Sequence, residues 1–352
     1  MKKDILFNEG DYSIQRYQGI PDDAISFLDN IAWGNEGALY EHRNTEEHIK
    51  LLHNPILIGL FEKDQIKATG IFSISPVTVN GQQFNSQYFR YFASSKDIRG
   101  KGIVKKLTIK IMQLIREKEK EKTIFFACVE KYNKSSYNVC ESAGYAPLGT
   151  VKTLGFSRFF PKVNKEITQI KIQNEKEEVL TLLKKLYNQH VLVQFNSLFL
   201  NDNYFVIREN NQIVAGCQYH RAHWVINNMK GLSGKIIMNV IPLIPILNKL
   251  FNPKRFEFLA FEGIYFKAGY KHRLYSLFEG LLAREKLKSS MFWMGKNCPI
   301  RKQIMEDGNL GMIHSFIKDS DIEVMASFKN MNETEISNVK SNPIFASAFD
   351  YI

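Results

Sequence analysis

The sequence predicts an α+β protein in which a mixed central sheet is flanked by helices in three layers and one structural unit occurs twice. Three observations support this. The chain has 352 residues, which is enough for two domains of ordinary size. Apolar residues make up 44% and charged residues 24%, as is typical of a chain that buries a core. Strand-like and helix-like patterns alternate through the first half, and the second half repeats their order.

Each element of the first half follows from a local pattern. Helices are predicted where apolar residues recur three and four positions apart, and strands where apolar or β-branched runs lie between turn residues. Asn80-Gly81 is a strong turn signal. The predicted helices are 22–32, 45–52, 103–117 and 135–142. The predicted strands are 56–61, 66–73, 87–93, 123–129 and 147–154.

The second half begins in the same way. The seven residues from Glu62 to Ala68 match those from Glu209 to Ala215 at four positions, at a constant offset of 147. Such an internal match indicates a repeated unit. The predicted elements are helices 178–190, 270–286 and 299–306, and strands 204–207, 212–219, 256–261 and 290–294. We place the boundary in the charged stretch 160–177, which gives units of 1–165 and 176–352.

The cysteines and the first residues of the sequence predict a cytoplasmic protein. The four cysteines form no CxxC pair, so neither a zinc knuckle nor a disulfide framework is expected, and we expect no metal. The first residues lack the apolar core of a signal peptide. The longest apolar stretch, 236–247, is too short to cross a bilayer and contains two prolines. We expect it to be buried or docked, with a membrane surface or a second subunit as alternatives.

The net charge of +11 permits an anionic ligand. The basic residues are spread along the chain and mixed with Glu, and no nucleic-acid signature is present. We therefore expect a small anionic ligand rather than nucleic acid.

The most informative segment is a glycine loop between a predicted strand and a predicted helix. It reads Arg99-Gly100-Lys101-Gly102, and Ile103 and Val104 begin the helix. Glycines allow a tight backbone curve, and the first turn of a helix leaves N–H donors unpaired at its positive end. The segment therefore predicts a cradle for a pyrophosphate.

This loop resembles motif A of the GNAT acetyltransferase superfamily, Gln/Arg-x-x-Gly-x-Gly/Ala. Arg99 and Gly102 match, while Val104 stands where the family has a small residue. The resemblance implies the GNAT fold, two GNAT-like copies, and acetyl-CoA or another acyl-CoA as donor. It places the donor against Ser94, Arg99, Gly100, Lys101, Gly102, Ile103 and Val104.

A second GNAT pattern follows the next strand. Asn133, Ser136, Gly144 and Tyr145 match the family's positions. The resemblance implies that Asn133 and Ser136 bind the pantetheine arm. Cys140 stands where many members have the tyrosine that protonates the departing thiolate. Cys140 could act in its place, and the alternatives are Tyr137, Tyr145 or simple packing of Cys140 in a helix.

The remaining chemistry is direct attack of an amine on the thioester in a ternary complex, which requires orientation, a polarised carbonyl and a base. Glu130, at the end of a strand, is our candidate base, and a solvated strand-end carboxylate is the alternative. Arg90 and Tyr91 are candidates for binding the acceptor. The histidines at 42, 48 and 53 are read as surface or partly buried residues.

The second copy lacks a Gly-x-Gly loop, since His272 aligns with Gly102. We expect it to be degenerate and to shape the acceptor site. We predict an N-acetyltransferase that acts on a small-molecule or peptide amine. A homodimer is a possible assembly. Two alternatives stay open: a non-catalytic acyl-CoA-binding protein, and a Fem-type transferase that uses aminoacyl-tRNA.

Overall fold

The computed structural model describes residues 2–34, 38–317 and 321–347. Strands and helices alternate along the chain. The strands are β1 (Lys3–Glu9), β2 (Tyr12–Gln18), β3 (Trp33–Gly34), β4 (Ala38–His42), β5 (Pro55–Glu62), β6 (Gln65–Val79), β7 (Gln82–Ser94), β8 (Thr123–Glu130), β9 (Ala146–Ser157), β10 (Ile167–Gln169), β11 (Tyr204–Glu209), β12 (Gln212–Met229), β13 (Phe256–Phe266), β14 (Ser289–Gly295) and β15 (Asp321–Lys329). The helices are α1 (Asp22–Asp29), α2 (Thr45–Lys50), α3 (Ile103–Lys118), α4 (Lys134–Ser142), α5 (Gln173–Leu186), α6 (Gly231–Asn239), α7 (Pro245–Asn248), α8 (Lys271–Glu285), α9 (Pro299–Glu306), α10 (Met312–Ile317) and α11 (Glu333–Ser341).

The elements predicted from the sequence are present, with shifted ends. α3 begins at the predicted residue and ends one residue later, at Lys118. β12 runs ten residues past its predicted end at 219, to Met229. The prediction missed the β1–β2 hairpin, the short strands β3 and β4, the helices α6 and α7, and every element after α9.

Both hairpins of the seven-residue repeat form in the same way. β5 and β6 close at Glu62 and Gln65, and β11 and β12 close at Glu209 and Gln212. The two turn residues have positive φ in each case, 48° and 67° in the first turn and 49° and 62° in the second. Positive φ at both positions is the type I′ turn that suits the twist of a β-hairpin. The weak sequence match therefore marks a true structural repeat.

One mixed sheet runs through both halves in the order β1-β2-β5-β6-β7-β8-β15-β9-β14-β13-β12-β11-β10. Most neighbours are antiparallel, whereas β7–β8 and β13–β14 are parallel. Each parallel pair is joined through a helix, α3 in the first half and α8 in the second. These two β-loop-α-β units are the repeated elements that the sequence predicted.

The two halves exchange strands at the centre of the sheet. β15, from the end of the chain, pairs with β8 of the first half, and β9 of the first half pairs with β14 of the second. β15 and β9 also pair with each other. A hydrophobic cluster made from both halves includes Leu57, Ile71, Ala222 and Phe258. The units 1–165 and 176–352 are therefore joined by backbone hydrogen bonds and by a shared core.

The apolar stretch 236–247 forms α6, a short 3-10 turn and α7. Ile237 and Ile241 are buried, but several of its other aliphatic side chains face outwards. The expectation of a buried segment therefore holds for one face only. Over the described ranges, no helix is both long and apolar enough to cross a membrane.

Candidate active site

The loop between β7 and α3 has the geometry of an anion cradle. φ is 76° at Gly100 and 75° at Gly102, and the space around each α-carbon is open. α3 begins immediately after Gly102. The backbone N–H of Lys106 donates to the carbonyl oxygen of Gly102 at 3.0 Å, which is the first hydrogen bond of the helix. The N–H groups of the first turn are therefore available to a ligand. Arg99, Lys101 and Lys105 are exposed beside them and add positive charge.

Side-chain contacts fix this loop to the sheet. Arg99 Nε donates to the carbonyl oxygen of Ser94 at 3.0 Å. Lys67 Nζ donates to Asp97 Oδ2 at 2.8 Å, and this bond, with help from Ser95, lowers the pKa of Asp97 to about 2. The loop is thus held in place at neutral pH before any ligand binds.

β7 and β8 diverge beside this loop. Their parallel pairing runs from Asn85–Thr123 to Phe89–Ala127 and then stops, although β7 continues to Ser94 and β8 to Glu130. The two strand ends therefore leave an opening in the sheet that leads from the cradle towards Glu130. An extended ligand arm can enter there and hydrogen-bond to the free strand edges.

A β-bulge lies at this opening. The register between β6 and β7 shifts between Thr69–Ala93 and Ile71–Arg90, and Tyr91 has a φ of 50°. Thr69 Oγ1 donates to the carbonyl oxygen of Tyr91 at 3.2 Å. The Arg90 guanidinium lies over the Tyr91 ring, 4.9 Å from its centroid. Positive φ in a bulky residue is strained, and bulges of this kind re-aim side chains beside functional sites.

Glu130 is the last residue of β8, the strand next to the one that carries the bulge. Tyr40 donates its hydroxyl to Glu130 Oε1 at 2.9 Å. Tyr40 belongs to β4, which pairs with β12 of the second half. The carboxylate is half-buried and is therefore oriented by a strand that is tied to the other copy.

Stacked rings from both halves line the space beside Glu130. Tyr40 stacks on Trp224 with centroids 4.4 Å apart, and His42 stacks on Trp224 at 5.4 Å. Trp33 meets Tyr91 edge to face at 5.9 Å. The aromatic cluster of Trp33, Tyr40, His42, Tyr91 and Trp224 thus connects the bulge of β7 to β12 of the second half.

His42 and Trp33 bring unsatisfied polar atoms to this cluster. Both ring nitrogens of His42 and Nε1 of Trp33 are buried and have no hydrogen-bond partner within 2–34, 38–317 and 321–347. Burial, reinforced by the charges of His48 and Arg90, lowers the pKa of His42 to about 3, so the ring is neutral at physiological pH. Buried polar atoms of this kind need a partner, and a polar ligand in the cluster would supply one.

A second polar group lies on the side of the second half. His220 Nε2 lies 3.0 Å from Glu262 Oε2, and Ser197 donates to the other carboxylate oxygen at 2.5 Å. Ser347, near the end of the chain, also hydrogen-bonds to Glu262. Burial by itself raises the pKa of Glu262. The hydrogen bonds that the carboxylate accepts from His220, Ser197 and Ser347 outweigh this effect and hold the pKa below its usual value. Glu262 is therefore an ionised carboxylate in the interior.

The residues of the second GNAT pattern lie in and around α4. Asn133 caps the helix, since its Oδ1 accepts from Ser136 N at 3.1 Å. Tyr137 is half-buried, whereas Cys140 is only 4% exposed and packs in the core with Tyr145. Burial raises the pKa of the Cys140 thiol to about 12. Tyr137 is therefore better placed than Cys140 to reach a ligand.

The second copy has the same opening in its sheet, but the opening is filled. β13 and β14 pair only at Leu259–Ser290 and Ala260–Met291. The C-terminal segment lies in the gap beyond: Phe345 N donates to Val191 O at 2.9 Å, and the backbone of Ile344 lies against Gly295. The first turn of α8 is tied down by Arg273, which pairs with Glu209 and Glu166. The opening beside the cradle of the first copy is thus filled in the second.

A small apolar cavity with a volume of about 40 Å³ lies between the sheet of the first half and α3. Phe89 and Phe92 of β7 line it, together with Val104, which follows the cradle. The other lining residues are almost all aliphatic, aromatic or glycine. The cavity is apolar and lies behind the cradle loop, and it would have to widen to hold an acyl chain.

The sequence pointed to the cradle, to Arg90 and Tyr91 and to Glu130, which the structure brings to one opening. It did not identify Tyr40, Trp33 or Trp224, and it read His42 and His48 as surface or partly buried residues. His48 is in fact buried, and so are the nitrogens of His42. No local signal could mark these residues, because they meet Glu130 only through the pairing of β4 with β12. Among the described residues, no group of three His, Cys, Asp or Glu side chains is placed to hold a metal ion.

Solved structures of N-myristoyltransferase from Saccharomyces cerevisiae share this fold. One, with bound myristoyl-CoA, has a TM-score of 0.61 at 11% identity and covers 94% of this chain and 87% of that one. Another, with myristoyl-CoA and inhibitors, has a TM-score of 0.61 at 10% identity and covers 97% of this chain and 88% of that one. A GCN5-related N-acetyltransferase from Sphaerobacter thermophilus has a TM-score of only 0.45 at 10% identity, covering 77% of this chain and 80% of that one. No protein-family model and no curated protein sequence matches the chain.

The chain therefore has the α+β fold of these N-myristoyltransferase structures, and its two β-loop-α-β units form a tandem GNAT-like arrangement. The prediction made from the glycine loop and the internal repeat is confirmed at the level of the fold.

Proposed function

We propose that this protein is an N-acyltransferase that moves an acyl group from acyl-CoA to an amine. One observation carries the proposal: the open cradle and the parting of β7 from β8 lie on one β-loop-α unit, with Glu130 at the far end of the opening. The cradle suits a pyrophosphate, the opening suits an extended arm, and the carboxylate suits a proton acceptor. The similarity in fold to a myristoyltransferase solved with myristoyl-CoA supports the same class of donor.

The donor would bind along the unit from the cradle to the bulge. The backbone of Gly100, Lys101, Gly102, Ile103 and Val104 would hold the pyrophosphate, with Arg99 beside it. Ser94, Asn133 and Ser136 would flank the pantetheine arm. Asn133 Oδ1 is already used in capping α4, so its amide nitrogen is the group left to donate.

Catalysis would proceed by direct attack in a ternary complex. The amine nitrogen attacks the thioester carbon, the carbonyl electrons move to oxygen, and their return expels the thiolate as the C–S bond breaks. The proton lost by the amine passes to Glu130, directly or through water, and the thiolate takes a proton from Tyr137. A backbone N–H at the bulge around Tyr91 would polarise the carbonyl.

The acceptor would approach from the side of the second half. Arg90, Tyr91 and the aromatic cluster line that side, and the unsatisfied nitrogens of His42 and Trp33 offer it hydrogen bonds. A small-molecule or peptide amine fits this description. The neutral His42 ring avoids adding positive charge beside the attacking amine.

For the donor's acyl group, acetyl is our first candidate, as the GNAT motif implies. The apolar cavity lined by Phe89, Phe92 and Val104 favours a longer chain as the second candidate. The non-catalytic acyl-CoA-binding protein remains an alternative, because Cys140 is buried where the family has its acid. The net charge of +11 supports the Fem-type alternative, because that class binds the polyanion aminoacyl-tRNA.

Isothermal titration with acetyl-CoA tests the donor. Gly102→Glu places a side chain and a negative charge on a left-handed residue in the cradle, and should abolish binding. Gly81→Glu is the matched control, because Gly81 also has a positive φ of 80° and open space around it, but lies in the β6–β7 turn. The absence of binding to any acyl-CoA by folded wild-type protein would refute the proposal.

Thiol release with a panel of amines then tests catalysis. We expect release that depends on both donor and amine, and that is lost in Gly102→Glu. Binding without amine-dependent release would support the non-catalytic alternative. Transfer from aminoacyl-tRNA without acyl-CoA binding would support the Fem-type alternative.

A further inference from the structure

The second copy contains an insertion that the first copy lacks. In the first copy, Asn80-Gly81 alone connects β6 to β7. In the second, the equivalent strands β12 and β13 are connected by residues 230–255, which form α6, a 3-10 turn and α7. The sheet does not require this insertion, since two residues make the same connection in the first copy.

One face of the insertion anchors it to the core. Ile237, Ile241, Leu250 and Phe251 are buried in the hydrophobic cluster shared by the two halves. Ser289 Oγ also donates to the carbonyl oxygen of Leu250 at 2.8 Å. The insertion is therefore packed against the body of the protein in a defined position.

The opposite face is apolar and exposed. Six of the fourteen exposed large hydrophobic side chains of the described residues lie in these 26 residues. The most exposed are Leu243 at 79% and Leu232 at 77%. The six are Leu232, Ile236, Val240, Leu243, Ile244 and Ile246, which we call the aliphatic face. Such clustering marks an interaction surface rather than scattered exposure.

The insertion that carries the aliphatic face is also basic. Residues 230–255 contain five basic residues and no Asp or Glu, so they contribute +5 to the chain's net charge of +11. Arg255 pairs with Glu257 at 2.9 Å. The four lysines are exposed and form no ion pair with any described residue. They are Lys230, Lys235, Lys249 and Lys254.

We propose that the aliphatic face and its four lysines dock the protein on an anionic phospholipid surface. The aliphatic side chains would enter the boundary between headgroups and acyl chains, and the lysines would remain at the level of the phosphates. The exposed set in this insertion contains no aromatic residue, whereas protein interfaces are enriched in aromatics and Arg. A second copy of the chain fits poorly, since a two-fold contact would bring two sets of unpaired lysines together. The proposal does not depend on the transferase function.

Sedimentation of the full chain with lipid vesicles tests the proposal. We expect binding to vesicles of equal parts phosphatidylcholine and phosphatidylglycerol, no binding to phosphatidylcholine alone, and release at about 0.5 M salt. Leu243→Glu with Ile246→Glu should abolish binding. Lys235→Gln with Lys249→Gln should weaken binding about twenty-five-fold, since each lysine near an anionic surface raises the affinity about fivefold.

Phe160→Glu with Val163→Glu is the matched control, because these two side chains are 79% and 77% exposed but lie outside the insertion. This variant should bind vesicles like the wild type. All substitutions are at exposed positions, and circular dichroism would check that each variant is folded. Failure of the wild type to bind anionic vesicles, or equal binding by Leu243→Glu with Ile246→Glu, would overturn the proposal. So would self-association that Leu243→Glu with Ile246→Glu removes while vesicle binding is absent.

Discussion

The hydroxyl of Tyr40 donates a 2.9 Å hydrogen bond to the carboxylate of Glu130, which lies 90 residues further along the chain. Glu130 ends β8 of the first copy, whereas Tyr40 lies on a strand paired with β12 of the second. The same ring stacks on Trp224. This contact therefore couples the end of the donor opening to the aromatic cluster where the acceptor would bind.

Glu130→Gln should lower kcat by about a hundredfold or more, because it removes the proton acceptor but keeps an oxygen for Tyr40. The dissociation constant for acyl-CoA, measured by titration, should not change. Tyr40→Phe should cost less, about tenfold, since the carboxylate remains but loses its orientation. Glu141→Gln, an exposed carboxylate on α4, is the control. Full activity in Glu130→Gln would remove Glu130 from the mechanism.

Gly269→Glu should leave donor binding intact, with one acyl-CoA per chain. Gly269 precedes α8 and, like Gly102, has positive φ, at 84°, and open space around it. A working second cradle would lose its ligand in this variant, whereas a degenerate one would not. Titration would measure the number of acyl-CoA molecules bound per chain in the wild type and in Gly269→Glu. Two donors per wild-type chain, falling to one in Gly269→Glu, would show that the second copy is functional.

Cys140→Ala should retain transferase activity and lower the free energy of unfolding by roughly 1 kcal/mol, because the side chain is buried in the core. Tyr137→Phe should lower kcat instead, with little effect on stability, since it deletes only the hydroxyl of a half-buried ring. Steady-state kinetics and urea unfolding measure the two effects. The reverse pattern would make Cys140 the acid.

Ala68→Leu should reduce the use of long-chain donors more than that of acetyl-CoA. Ala68 lines the apolar cavity, and a larger side chain there would fill part of it. Comparing kcat/KM for acetyl-CoA and a long-chain acyl-CoA in the wild type and the variant would measure the change in preference. An equal loss for both donors would mean that the acyl chain does not enter this cavity.

The protein should lose stability as pH falls below about 6.5. Burial lowers the pKa of His42 to about 3 and that of His48 and His190 to about 4, whereas the unfolded chain binds protons near 6.5. The unfolded state therefore takes up more protons over this range, and stability is complete above it. Each imidazole contributes at most about 1.4 kcal/mol per pH unit.

Urea unfolding at pH 7 and pH 5 would measure this loss. His190 lies 3.2 Å from Cys298 Sγ and is buried, so His190→Gln should lessen the difference between the two pH values. His53→Gln, at an exposed histidine, should leave the difference unchanged. An undiminished difference in His190→Gln would contradict this assignment.

Local patterns were enough to predict most of the central elements and the cradle. The Gly100–Gly102 loop has its conformation because glycine tolerates positive φ and a helix follows at once. The hairpin turns at 62–65 and 209–212 likewise depend on neighbouring residues alone. The β1–β2 hairpin and β15 were missed because pairing with distant strands stabilises them.

The sequence by itself determined the repeated β-loop-α unit and the position of the one open cradle, since both depend on backbone conformations set within a few residues. Tertiary structure decided what surrounds that cradle. It brought Tyr40, His42 and Trp224 to Glu130 through the pairing of β4 with β12, buried Cys140, and filled the second opening with the end of the chain. These contacts join residues far apart in sequence, and the hydrogen bonds and burial that select them exist only once the two halves share one sheet.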